Sequence, residues 1–466
     1  MSAGETRVQH DYIMKFLCRK EEDGGLGYRQ TDPNIVSSDL FIPSQLAEFV
    51  ERANPLVWKS LMTRFHQDEI ALANALKDKV KELLLNSSNV ATFLNNYKTI
   101  TFEGETVPLF FVSDTELQGD RNFNKNIFSA VEEMPHNVVC DGMTLQRLRP
   151  DISFFLNGIF IGYLELKYVS KGQTAAKNGR GKIIGDYLES VKDMANRAKT
   201  DADVVATERK KTLHIFERGI HLVATDINET YVLRNIAGYY DEAFKGFADG
   251  TLSINKFAPT IEKDFKLYPV SSPLLDANER FEEIMANLYG KKMIEREILY
   301  YNFLKYNYEK KQVTEKGKKV WKRMRLSNRG YIIAPRPKQK YGCDRILSRV
   351  KEMLSKEQEA DFYSKQLRRE LEALCVPADT IDSIIHQREA FSNNKYVYSL
   401  LLQYAAGFGK SNIIGWTALQ LKDLRHDGAY AYDKILIVVD RLQLRDQLDE
   451  MMTNMNIDKA MFVEAT

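Results

Sequence analysis

Cysteine is scarce in this chain, and its four residues, Cys18, Cys140, Cys343 and Cys375, lie far apart without ligand spacing. That excludes a disulfide framework or a zinc-cluster module and leaves reduced thiols. The seven histidines are equally dispersed, so no pair stands at metal-binding spacing. There is no secretory leader and no apolar run long enough to span a bilayer, which makes the cytoplasm the expected location. Charge of one sign is also missing: 66 Lys and Arg against 64 Asp and Glu give a net +2. Any binding to nucleic acid must then come from local patches and not from a global field. No internal repeat or low-complexity tract occurs. What is present is ordinary for a soluble globular protein, with 44% hydrophobic and 28% charged residues, and 466 residues exceed the size at which one core stops growing.

The most informative stretch begins at Arg149-Pro150-Asp151 and ends at Glu165-Leu166-Lys167. Two β-rich runs flank Asn157-Gly158, a strong hairpin signal. Because side chains alternate along a strand, Glu165 and Lys167 point the same way. A strict two-residue loop would set Asp151 opposite Leu164, on the wrong face to meet Glu165. A three-residue loop from Asn157 to Ile159 would set Asp151 opposite Glu165, so a longer loop or a bulge is expected. Two carboxylates and an ammonium on one face suit metal-dependent phosphodiester hydrolysis. Mg²⁺ takes one or two carboxylates while keeping waters, makes hydroxide available near neutral pH, and leaves Lys167 to orient the water or offset phosphate charge. On spacing alone, a half-buried hairpin whose Glu and Lys face solvent is the other reading.

The run RPDISFFLNGIFIGYLELK resembles the PD-(D/E)xK nuclease core of the restriction (R) subunit of type I restriction-modification enzymes, down to the Asn-Gly between the strands. The resemblance implies an α/β fold whose mixed sheet is flanked by helices, with Asp151, Glu165 and Lys167 as catalytic residues and Asp151 and Glu165 holding Mg²⁺. It also implies double-stranded DNA as substrate, and methyltransferase and specificity subunits as partners. The family often carries a Gln four residues before a Tyr on the next helix; this chain has Ile183 before Tyr187, and Tyr187 is assigned no catalytic function. A further Glu sometimes comes from the first helix, and Glu48 is one of several that compete for that place.

A second motif lies later. Val397 to Leu402 reads as a buried strand entering Gln403-Tyr404-Ala-Ala-Gly407-Phe-Gly409-Lys410-Ser411 and an amphipathic helix. Glycines let backbone N–H groups wrap phosphate oxygens, Lys410 reaches the β- and γ-phosphates, and Ser411 can hold Mg²⁺ at the helix start. Tyr404 replaces the first Gly of the plain motif, but superfamily 2 helicases have loops that Gly407, Gly409, Lys410 and Ser411 match. A glycine-rich helix cap with an incidental Lys is the alternative. Arg336-Pro337-Lys338-Gln339 resembles the segment whose Gln reads adenine in helicase-type motors, so Gln339 is the expected base reader for ATP. Asp433 to Gln447 reads as a buried β-run entering a helix and resembles the DNA-contacting motor motif that follows. Asp440 fits that motif better than a Walker B strand, because Arg441 stands where an acidic residue belongs.

The expected organisation is a loose segment over 1–35, a PD-(D/E)xK endonuclease domain over 36–260, a helical and basic linker over 261–330, and the beginning of a RecA-like parallel α/β motor over 331–466. A helical pattern runs from Ser44 to Asn96. Strands are expected at 107–112, 137–140, 213–215 and 220–225, with a helix over 182–199. Lys310 to Arg329 holds nine Lys or Arg against one Glu, read either as a solvated hairpin or as a segment tracking a DNA backbone. Residues 352–392 read as a helical insertion. With the sequence stopping at Thr466, no Walker B pair, coupling motif or arginine finger follows, so weak ATP binding without turnover is expected. Three functions stay open: an R-subunit fragment coupling Mg²⁺-dependent DNA cleavage to ATP-driven translocation, a stand-alone nuclease-helicase of DNA repair or phage defence, and a catalytically silent DNA-binding remnant.

Overall fold

In the computed structural model, the described residues are 3–113, 121–315, 318–356, 362–391, 400–426, 428–439, 448 and 451–452. They divide into two compact units, one built on residues up to 337 and the other on 338–451.

The first unit is organised by a seven-stranded mixed sheet whose spatial order follows chain order: β1 (Arg29–Thr31), β2 (Phe128–Glu132), β3 (Ile152–Leu156), β4 (Ile159–Leu166), β5 (His221–Thr225), β6 (Thr230–Leu233) and β7 (Lys266–Leu267). β1 pairs β2 in parallel and β4 pairs β5 in parallel, while the other neighbours are antiparallel. Strands β3 and β4 are central and buried along their whole length, as near-continuous apolar runs must be when helices cover both faces. Ile152, Phe154 and Leu156 pack into a core on one face with helices α1 (Ala3–Cys18) and α2 (Pro43–Ala53). Phe155, Phe160 and Tyr163 pack into a second core on the other face with α3 (Arg180–Ala198).

Several elements depart from expectation. The N-terminal segment is helical, and Ile13, Met14, Phe16 and Leu17 are buried in the core; spacing of three and four on one helix face outweighs its polar composition. Residues 107–112 are strand only through Pro108, in a separate two-stranded ribbon. Likewise His136–Cys140 pairs, among the described residues, only with Met143–Leu148. The strand that joins β3 in the main sheet is instead β2, Phe-Ser-Ala-Val-Glu. Residues 214–217 form a helical turn where a strand was expected; three consecutive buried side chains do not distinguish the two. The region expected as linker supplies α4 (Ala277–Tyr289), whose Tyr289 stacks on Phe154 at 3.8 Å between ring centroids. That helix completes the core. The basic stretch lies in a two-stranded antiparallel ribbon, Phe303–Glu315 with Lys318–Ile333.

In the second unit a helix spans Pro337–Lys356, two more span Phe362–Ala373 and Ala378–Phe391, and α5 spans Lys410–Lys422. The described parts of the buried strands expected on either side of the glycine loop are corrected here, while Val397 to Ser399 lie outside the described residues. Residues 400–402 are not in a strand, and Leu401 is 94% exposed. Residues 434–439 are not strand either, and Leu436 and Val438 are exposed. A parallel strand is held by hydrogen-bonded neighbours and by cover on both faces, and neither run has a paired neighbour among the described residues. Asp440, Arg441 and the rest of the segment to Gln447 lie outside the described residues.

Candidate active site

The β3–β4 turn is tight. Leu156 pairs with Ile159, and Asn157 and Gly158 have φ of 50° and 76°, as a two-residue primed hairpin turn requires. Asn157 is fully buried and saturated: its Oδ1 accepts from the Ile127 amide, and its Nδ2 donates to Leu109 O and Asn126 Oδ1. The register is then corrected inside the strands, not at the loop. Phe154 pairs with Gly162 and Phe155 with Phe160, so Ile161 is bulged. The bulge flips the alternation, since Ile159 and Ile161 join the first core whereas Tyr163 joins the second. Beyond it Ile152 pairs with Leu164. Asp151, Glu165 and Lys167 are therefore brought to the face covered by α3. Gly162 makes this possible, because at φ 152° a Cβ would stand 2.4 Å from His221 O on β5.

The side chains form a compact charged cluster in a mostly apolar surround. Glu165 is buried, at 3% exposure. Its Oε1 accepts from Lys167 Nζ at 2.5 Å, and its Oε2 from Lys182 Nζ at 2.9 Å. Asp151 Oδ2 accepts from the Leu166 amide at 2.6 Å, which ties the start of β3 to the end of β4. Burial, then the Glu165 charge, pushes the Asp151 carboxyl up to about 6, against the opposing pull of the Leu166 amide and of Lys167 and Lys182. Lys167 also donates to Leu166 O, and its backbone amide to Thr225 O.

Helix α3 contributes residues that motif reasoning did not select. Tyr187 is fully buried, its hydroxyl donating to Glu217 at 3.4 Å, and Ile183 lies in the core, so neither faces the cluster. Lys182 and Asp186, one turn apart, do; their charged atoms are 3.6 Å from each other. The Asp186 carboxyl is pushed up to about 6 by burial and by Glu165, with Lys182 opposing. The signal available in sequence was the i, i+4 spacing of Lys182 and Asp186 on the helix that crosses the hairpin. Glu48 is held by both terminal nitrogens of Arg29, at 2.6 and 2.8 Å, and plays no part in the cluster.

Among the described residues, no group of three or more His, Cys, Asp or Glu side chains forms a metal cage. The donor set nonetheless suits Mg²⁺, which binds through one or two carboxylates and keeps its waters. Asp151 Oδ1 takes no hydrogen bond among the described residues, and the charges of half-buried Asp151 and buried Glu165 oppose each other, so an added cation would stabilise both.

In the second unit, Gly407 and Gly409 have φ of 74° and 84°, and Gly409 caps α5, which Lys410 and Ser411 begin. Lys410 Nζ donates to Tyr404 O and Ala405 O at 3.0 and 3.2 Å, curling over its own loop. The Gln339 amide donates to Phe408 O at 2.6 Å, so Gln339 does meet the glycine loop. Tyr404 stacks on Phe408, with ring centroids 4.7 Å apart.

Comparison with known families bears on the first of these sites. Residues 15–197 match the family described as the type I restriction enzyme R protein N terminus. That segment is similar to the N-terminal part of such R proteins. The matched segment contains Asp151, Glu165, Lys167, Lys182 and Asp186, and ends at the last turn of α3, before β5, β6, β7 and α4. No curated protein and no solved structure matches the chain. No helix among the described residues is long and apolar enough to cross a membrane.

Proposed function

We propose that this chain cuts DNA phosphodiesters as the R subunit of a type I restriction enzyme, with Asp151 and Glu165 as the Mg²⁺ ligands and Lys167 as the catalytic ammonium. The observation that carries the reading is the β4 bulge, which turns Glu165 toward Asp151 on the face of the sheet where Lys167 also lies. When bound, Mg²⁺ supplies a hydroxide-forming water and stabilises charge on the phosphate. Lys167 fixes Glu165 through Oε1, and its ammonium is placed to orient water or meet developing negative charge. Burial keeps these groups in a low-dielectric surround, where each electrostatic contact is stronger than in water.

The reading extends to the second unit. Gly407, Gly409, Lys410 and Ser411 would bind the phosphates of ATP, Ser411 would approach its Mg²⁺, and Gln339 would read the adenine. Support comes from the left-handed glycines at the start of α5 and from the contact of Gln339 with the loop. DNA cleavage would be coupled to ATP-driven translocation in a complex with methyltransferase and specificity subunits. The test is plasmid cleavage with Mg²⁺ and ATP by the complex assembled with those subunits. Asp151→Ala and Lys167→Ala should each abolish cutting while circular dichroism is unchanged, and substantial cutting by Asp151→Ala would reject the assignment.

A further inference from the structure

Glu165 is gripped from two sides, by Lys167 on its own strand at Oε1 and by Lys182, on the α3 helix that covers this face, at Oε2. The two lysines differ in their freedom. Lys167 is buried and also bonded to Leu166 O, whereas the Lys182 side chain is 40% exposed and stands between two carboxylates, 2.9 Å from Glu165 and 3.6 Å from Asp186. A cation that takes Oε2 of Glu165 cannot share it with an ammonium hydrogen bond of this length. Lys182 must then leave, and Asp186, one helical turn further along, is already within ion-pair distance. The exchange needs only side-chain rotation on a rigid helix.

We propose that Lys182 is a built-in competitor for the metal at Glu165, and that Asp186 receives the ammonium when the cation binds. The inference rests on Asp151 and Glu165 being the metal pair. Its consequence is that the two α3 residues act in opposite directions. Lys182 lowers cation affinity by occupying a ligand oxygen, whereas Asp186 raises it by offering the lysine another partner. A merely structural contribution of the pair would instead make both substitutions weaken the site.

Mn²⁺ binding to the purified full-length chain, followed by electron paramagnetic resonance, separates these outcomes without reference to activity. Lys182→Met should bind Mn²⁺ about tenfold more tightly than the wild type, the low end of what a charge-assisted hydrogen bond contributes. Asp186→Asn should bind it more weakly, and Lys182→Arg should return the wild-type value because a competing cation is restored. Unchanged or weaker binding in Lys182→Met overturns the inference and leaves the metal pair standing. Mn²⁺ binding that survives in Asp151→Asn, or no binding in any variant, overturns the metal pair and the inference with it.

Discussion

Replacing Asp151 with Asn should make the protein more stable and inactive, and the size of the gain follows from the site. The Asp151 carboxyl is held at about 6 against an ordinary 3.8, first by burial and then by Glu165. About two pH units correspond to about 3 kcal/mol of differential stabilisation. The group is an acid raised in the folded state. Its favourable contribution is complete below the unfolded value near 3.8 and is lost as pH rises through about 6, so at pH 8 the full penalty is in place. Asn is neutral, nearly isosteric, and keeps an oxygen for the Leu166 amide that Oδ2 now accepts. Urea unfolding should therefore show Asp151→Asn more stable by about 2–3 kcal/mol at pH 8, with no difference near pH 3.5. Added Mg²⁺ should stabilise the wild type at pH 8 and leave the variant unchanged. A loss of stability at pH 8, or an equal gain at both pH values, would refute the reasoning.

Three other outcomes are expected. Gly162→Ala drives a methyl to 2.4 Å from His221 O and should destabilise the first unit by about 2–4 kcal/mol, read from its urea midpoint; a neutral result would mean the bulge relaxes freely. His136 and His214 meet edge-to-face at 4.8 Å, and burial, then the Arg218 charge, pushes His136 down to about 4 and His214 well below its usual range. Their neutral forms support the fold above pH 6.5 and that support is lost as pH falls toward 4; His136→Phe should flatten the acid side of the stability profile by about 3 kcal/mol, and an unaltered profile would count against it. Lys410→Ala should weaken binding of a fluorescent ATP analogue at least about tenfold while leaving Mn²⁺ binding at Asp151 and Glu165 untouched; equal nucleotide affinity would remove the phosphate-loop assignment.

The hairpin was legible because its signals are local: Asn157-Gly158 fixes the turn, and alternation fixes Glu165 and Lys167 to one face. The bulge was legible only as a requirement. Its position at Ile161 is set by the approach of β5 to Gly162, a contact between residues nearly sixty apart in sequence. Strand β2 was missed because Phe-Ser-Ala-Val-Glu carries no turn or alternation signal, and it becomes a strand by pairing with β3. Lys182 and Asp186 were not legible because a helix's composition does not say which of its faces meets the sheet; that is decided by Ile183, Ile184 and Tyr187 entering the core. Leu400 to Leu402 and Ile435 to Val438 erred the other way. Their apolar composition reads as buried strand, but composition alone cannot supply the neighbours that parallel pairing requires.

The stacking of Tyr289 on Phe154 also sets a timetable. The strand pair carrying Asp151 and Glu165 leaves the ribosome early, yet the aromatic that covers its inner face is encoded about 135 residues later. At synthesis rates of roughly 5–20 residues per second, that interval is on the order of ten seconds. For that time Phe154 lacks the ring that closes over it, and the core beneath the sheet is complete only as far as the earlier helices can make it. Late closure by α4 therefore delays completion of this core until well past the segment that encodes the charged cluster, so the sheet is synthesised long before its last cover.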